Sequence, residues 1–294
     1  MDVELRHLRC LVAIVDAGGF TGAAVELGLT QPSVSRTLAA LEDALGARLL
    51  RRTSREVVLT AAGERVVSRA RRVLAEVEDL AREVRGGAAR LRLGHAWAAV
   101  GKHTLALQRR WAAQHPDVTL QLVRTNSPTG GLAEGACDVA VVRSASAVLD
   151  PGRIDPRRFD GAVVGLEPRY AALAADDPLA RRRQLRTADL ASRVLAVDPR
   201  TGTGTVELWP PGARPEVEET RDVDDWLAVI ATGRCIGVTA ESTLTQYRRQ
   251  GVVFRRLRGA PPVPVRLVWW RDDRHPATDD VVGLLVELYG GYGR

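Results

Sequence analysis

At 294 residues the chain exceeds the roughly 100–200 residues of one ordinary folding unit, so two or more units are expected. Its composition, 45% apolar and 27% charged, is that of an ordinary globular protein. No run reaches the roughly 18 uninterrupted apolar residues of a membrane helix, and Asp2, Glu4 and Arg6 interrupt the place where a secretion signal carries its apolar stretch, so a cytoplasmic location without a membrane partner is expected.

The net charge of +6 names no partner by itself, but its distribution is informative. Residues 48–72 hold eight arginines against Glu56 and Glu64, a local balance of +6. Upstream of them, Leu5, Leu8, Val12 and Val15 recur at helical spacing until Gly18-Gly19 stops the helix. Thr21 is a candidate N-cap for a short second helix ending near Gly28, and Thr30 caps a third with Pro32 in its first turn, where the missing N–H costs nothing. In that third helix Val34, Leu38, Leu41 and Leu45 share one face and leave Gln31, Ser33, Ser35 and Arg36 at the front and sides. A slim helix with a polar front and an apolar back suits the major groove of DNA.

Residues 48–59 read as a short β-ribbon with a basic tip, placed to hold backbone phosphates. Thr60 then opens a long helix in which Val66, Ala70, Val73, Val77, Leu80 and Val84 step alternately by four and three residues, a heptad seam ending before Gly86-Gly87. The seam fits pairing with a second copy; a single amphipathic helix lying on its own domain is the other reading. From Arg90 strands alternate with helices: strands at 91–94, 118–123 and 139–143, helices at 102–114 and starting at 129–134, then a Pro- and Gly-rich crossover at 150–161. Further strands at 162–164, 170–174, 193–197 and 236–239 surround helices near 187–191, 222–232 and 240–249. Pro261, Pro262 and Pro264 mark a return crossover before a late strand at 266–270 and a terminal helix at 279–289. A mostly parallel α/β sheet is expected.

Catalytic and metal chemistry finds little support. Cys10, Cys137 and Cys235 are far apart and read as ordinary thiols, the five histidines are scattered, and no nucleophile elbow is present. Thr201-Gly202-Thr203-Gly204-Thr205 lacks the Gly-Lys-Ser/Thr end of a phosphate loop. No enzyme activity, metal or cofactor is therefore expected.

The run FTGAAVELGLTQPSVSRTLAALEDALGARLLRRTSREVVLTAAGERV, from Phe20 to Val66, closely resembles the DNA-binding signature of LysR-type transcription regulators. The match includes Ala23-Ala24, Thr30-Gln31-Pro32, Ser35-Arg36, Leu41-Glu42, Leu45-Gly46, and Leu59-Thr60 with Gly63; Leu50 stands where an aromatic residue is common. The resemblance implies a winged helix-turn-helix at 1–60, a linker and dimerisation helix at 61–87 and an effector-binding domain at 88–294. That last part is an α/β domain of two Rossmann-like subdomains similar to periplasmic binding proteins, with subdomain I at 88–160 and 266–294 and subdomain II at 161–265. Gln31, Ser33 and Arg36 would then approach base edges, while Thr30, Ser35, Arg51 and Arg52 engage phosphates. The implied partners are double-stranded promoter DNA, a small-molecule effector, RNA polymerase, and further copies forming a homodimer and then a homotetramer. The effector would sit between the subdomains near Ala96, Trp97 and Ala98, Ser127 and Thr129, Thr201 and Thr203, and Val238 and Thr239. The wall Ala96-Trp97-Ala98-Ala99, poor in hydroxyls, points to a bulkier or more aromatic effector, while packing between subdomains is the other reading of Trp97. A ligand-independent architectural DNA-binding protein is the alternative function.

Overall fold

The computed structural model describes residues 3–52, 57–84, 89–144, 154–201 and 203–290, without the side chains of Arg52, Arg82 and Glu83. The expectations for residues 53–56 at the ribbon tip, for Gly86-Gly87, for residues 150–153 of the crossover and for Gly202 lie outside these. The chain divides into two units, Met1–Ala89 with Ala133–Ala136, and Arg90–Leu132 with Cys137–Arg294. Among the described residues no helix is long and apolar enough to cross a membrane.

In the first unit, α1 (Leu5–Asp16) packs on three other helices: α2 (Phe20–Leu27), α3 (Gln31–Leu45) and, beyond a two-stranded ribbon, α4 (Ala61–Val84). The ribbon pairs β1 (Leu50–Arg52) with β2 (Val57–Leu59) antiparallel, Leu50 opposite Leu59. The buried face of α1 differs from the expected stripe. Cys10, Leu11, Ala13 and Ile14 are buried, whereas Leu5 is exposed, because helices on several sides select a wider face than one stripe. Helix α2 starts at Phe20 after an extended Gly19, so Thr21 lies inside the first turn rather than capping it; the buried Phe20 ring anchors that turn. Thr30 caps α3 as expected, and Gly46 ends it in the left-handed region at φ 62°.

The second unit holds two sheets. Its elements run β3 (Ala89–His95), α5 (Thr104–Gln114), β4 (Val118–Arg124), β5 (Val139–Arg143), β6 (Phe159–Glu167), β7 (Arg169–Ala174), β8 (Gln184–Arg186), β9 (Leu195–Val197), β10 (Val217–Glu219), α6 (Val223–Ala231), β11 (Ile236–Ala240), α7 (Glu241–Gln246), β12 (Val252–Arg258), β13 (Val263–Trp270) and α8 (Thr278–Leu288). One sheet has the order β4-β3-β5-β13-β6, the other β10-β9-β11-β7-β12-β8. Both are mixed rather than mostly parallel: β13 runs antiparallel to β5 and β6, and β7 antiparallel to β11 and β12.

The outward crossover follows Glu167, not residue 160. Strand β6 pairs along its length with β13, from Phe159 opposite Trp270 to Glu167 opposite Val263, which places residues 161–167 and 263–265 in the first sheet. Pro264 is tolerated inside β13 because the β5 partner begins only at Val265. The helix expected at 129–134 is a series of turns, since Gly130, Gly131 and Gly135 all take positive φ. The core of the first sheet gathers Leu91, Leu93, Leu107, Trp111, Val139, Val265, Leu267 and Leu285.

Candidate functional site

The front of α3 is tied together by short-range hydrogen bonds. Thr30 Oγ1 accepts the Ser33 N–H at 3.4 Å and shares a hydrogen bond of 2.9 Å with Ser33 Oγ, to which Arg36 Nη2 also donates at 3.4 Å. Gln31 and Arg36 are exposed and Ser35 is half-buried, whereas Val34, Leu38 and Leu41 on the back are buried in the core. Thr30, Gln31, Ser33, Ser35 and Arg36 thus fall within the first two turns, on a helix whose other side is fixed. Arg51 is exposed on β1, and the Arg52 side chain lies outside the described residues.

The ribbon hangs from α3 by one carboxylate. Glu42, 5% exposed, accepts the N–H groups of Leu49 at 2.7 Å and Leu50 at 3.2 Å, and the Arg48 guanidinium at 2.7 Å. Burial alone would raise its pKa; these donors overcome it and hold the carboxyl below its ordinary value. On the other side Thr60 Oγ1 donates to Arg48 O at 2.8 Å and accepts the Gly63 N–H at 2.9 Å, capping α4. A Cβ on Gly63 would overlap the Leu49 carbonyl oxygen, which explains a glycine three residues past the cap.

Along α4 the expected seam divides. Val66 packs against the helical core and Ala70 is buried, while Val73 and Leu80 are 43% and 61% exposed, Val84 is 81% exposed, and Val77 is half-buried. The second half of the seam is thus uncovered within its own unit.

In the α/β unit a small cavity, partly open to solvent, lies where the ends of β3, β5 and β11 meet the loops after β4 and β9. Ala96, Trp97, Thr201 and Thr203 line it, as do Pro128, Gly130, Val141, Arg143, Ser242 and Thr243. Trp97 does two things: it lines the cavity, and it meets Trp226 of α6 edge-on, centroids 5.4 Å apart, with Tyr247 at 6.4 Å. Ala98 is buried and does not line the cavity. Ser127 and Thr129 are buried and share a hydrogen bond of 2.9 Å, flanking Pro128 rather than lining the wall. Val238 belongs to the core of the second sheet, and Thr239 stands behind the wall, its Oγ1 2.7 Å from that of Thr243.

The positions implied by the resemblance did not include Arg143, Ser242 and Thr243, nor the carboxylate that controls Arg143. Glu167 receives Arg143 Nη2 at 2.9 Å and Nε at 3.2 Å, the Tyr289 hydroxyl at 2.8 Å and the Ser242 N–H at 3.2 Å. Burial would raise its pKa, but the guanidinium and the other donors pull it down to about 2, so the pair stays ionised near neutrality. A basic end on the otherwise apolar strand Val139–Arg143 was the available signal. Beside it His95 is buried, its Nδ1–H donating to the Trp97 carbonyl; burial and the nearby Arg143 and Arg124 lower its pKa and keep the ring neutral. Arg169 Nε donates to the Pro261 carbonyl at 2.7 Å and Nη1 to that of Thr203, linking both crossovers to the cavity wall. Among the described residues no group of three or more His, Cys, Asp or Glu side chains is placed to hold a metal.

Residues 5–64 match the family model described as bacterial regulatory helix-turn-helix protein, lysR family, and residues 85–290 match the LysR substrate binding domain. The chain is 36% identical over 215 residues to the uncharacterized HTH-type transcriptional regulator YnfL of Escherichia coli (strain K12), covering 69% of each chain. It is 34% identical over 280 residues to a small neutral protease regulatory protein of Streptomyces coelicolor, covering 91% of this chain and 81% of that one. Its fold is similar to that of CbnR, a LysR family transcriptional regulator (TM-score 0.68, 23% identity, 98% of each chain), and of full-length CbnR complexed with its target DNA (TM-score 0.65, 24% identity, 98% of this chain and 99% of that one). A reading helix on a ribbon-bearing helical unit, followed by an α/β unit with a central cavity, thus occurs here in the order both matched models require, and the chain belongs to the LysR family of DNA-binding, effector-responsive transcription regulators.

Proposed function

We propose that a cytoplasmic homodimer of this chain, joined along the exposed half of α4, reads a two-fold symmetric promoter site with one α3 in each major groove. Gln31, Ser33 and Arg36 address base edges; Thr30, Ser35, Arg51 and Arg52 hold phosphates. The observation that carries this is the mutually bonded Thr30–Ser33–Arg36 front, with Thr30 and Arg36 exposed and Ser33 half-buried, on a helix whose back is buried. Residues 1–60, 61–87 and 88–294 serve as reader, linker and sensor. Dimers assemble into a tetramer through the sensor units, and RNA polymerase is the partner downstream.

Binding isotherms of Arg36→Ala and Arg51→Ala on operator and random DNA test the division of labour. Loss of Arg36 costs about 1–3 kcal/mol on the operator and little on random DNA. Loss of Arg51 weakens both and flattens the dependence on salt. Equal losses on both sequences for both variants contradict the assignment.

The effector occupies the cavity beside Trp97, contacting Ala96, Trp97, Thr201 and Thr203, with Ala98, Ser127, Thr129, Val238 and Thr239 shaping the wall behind them. Because the wall draws on both sheets, a ligand that prefers one arrangement of them shifts that equilibrium and with it the reading units. Titration of a metabolite panel, repeated on Trp97→Ala, tests the placement; unchanged affinity for the effector removes Trp97 from the contact set.

A further inference from the structure

The chemistry of the cavity selects a class of effector. Its wall carries one charged side chain, Arg143, and that charge is spent: Glu167 engages it at two nitrogens while also accepting from Ser242 N–H and the Tyr289 hydroxyl. Both members are almost fully buried, with side chains 8% and 4% exposed, so Arg143 reaches the cavity with its charge already balanced and offers a second carboxylate little net attraction. The loop after β3 contributes Ala96 and Trp97 to the wall, neither with a hydroxyl.

The hydroxyls on the other walls are not equivalent. Thr201 Oγ1 donates to the Asp198 carbonyl at 3.1 Å, and Thr243 Oγ1 is engaged with Thr239. Ser242 Oγ differs from these two: its residue is 3% exposed and lines the cavity, and among the described residues the buried oxygen has no hydrogen-bond partner. Buried hydroxyls are almost always satisfied, and one left unsatisfied beside a cavity marks a place where a ligand group could complete its hydrogen bonding. Its position is held from behind by Gly101, where a Cβ would stand 2.6 Å from Ser242 Cβ. Trp97, braced by Trp226, supplies a rigid aromatic surface on the same cavity.

We propose that this cavity takes an uncharged, planar ligand bearing one hydrogen-bonding group, such as a carboxamide or phenol, seated with that group on Ser242 Oγ and its ring against Trp97. The proposal rests on the reading of the cavity as the effector site and adds the class of effector.

Calorimetric titration of the full chain with benzamide and with benzoate, on wild type and on Ser242→Ala, tests it. Benzamide is expected to bind wild type at least about tenfold more tightly than benzoate, and Ser242→Ala to lose about tenfold for benzamide. Without ligand, Ser242→Ala should melt at or above the wild-type temperature, because the hydroxyl it removes is unsatisfied. Tighter binding of benzoate, unchanged benzamide affinity in the variant, or binding of neither probe overturns the proposal. If benzoate binds more tightly and Trp97→Ala abolishes that binding, the cavity remains the effector site and only the uncharged class falls. Operator binding by the same preparations reports the DNA-reading assignment independently.

Discussion

Arg143 closes β5 and Glu167 closes β6, and the two meet through paired contacts of 2.9 and 3.2 Å although β13 lies between their strands. Glu167→Gln leaves the buried guanidinium without its counter-charge, which costs about 3–5 kcal/mol at neutral pH. The folded-state pKa is depressed from 4.5 to about 2, so the stabilisation is fully present above pH 4.5 and is lost as pH falls through 2. Denaturant melts of both proteins should therefore differ most above pH 4.5 and converge toward pH 2. A gap independent of pH contradicts the ion-pair account.

Glu42 and the first two ribbon N–H groups predict a second outcome. Glu42→Ala strips the acceptor from Leu49 and Leu50 and should destabilise the helical unit by about 1–3 kcal/mol. Because the ribbon is then held less firmly, DNA affinity should fall on operator and random sequences alike. Thermal melts and binding isotherms together check this; full stability with unchanged DNA binding would show that the ribbon is held by other means.

Gly63→Ala drives a methyl group onto the Leu49 carbonyl at the junction of ribbon and α4. A cost of about 1–3 kcal/mol is expected from overpacking against backbone, read as a lower midpoint in denaturant. A neutral substitution would mean the junction shifts freely.

Leu80 is 61% exposed, so Leu80→Asp removes little from the fold of its own chain. It should leave the melting of the helical unit intact at low concentration while moving the sedimenting species from the tetramer to smaller species joined through the sensor units alone. A tetramer that persists at wild-type strength places the interface elsewhere than the second half of α4.

The reading unit was legible because its punctuation is chemical. Thr30 and Gly46 bound α3 by capping and left-handed geometry, and Thr60 with Gly63 fixes the start of α4. Helix faces were less legible: Leu5, Leu8, Val12 and Val15 form one stripe by spacing, but packing on α2, α3 and α4 buries Cys10, Leu11, Ala13 and Ile14 instead. The crossover was misplaced because β6 contains Gly161 and Gly165, which resemble loop residues. Gly165 is there to admit the Tyr289 ring, whose atoms a Cβ would overlap, and α8 lies more than one hundred residues away in sequence. Trp97, Thr201 and Thr203 of the cavity were reachable through the family resemblance, which assigns a ligand to those loops. Arg143, Ser242 and Glu167 were not, since their roles depend on two crossovers bringing β5, β6 and α7 together.

The central claim is that paired α3 helices read a symmetric site. Selection of binding sequences from a random DNA library, performed with the full chain and with Arg36→Ala, tests it most directly. Wild type should enrich an inverted repeat with half-sites about one helical turn or a multiple of it apart, and Arg36→Ala should relax preference at the same position in both halves. Enrichment of no motif, of a single unpaired half-site, or of an identical motif by the variant would contradict it.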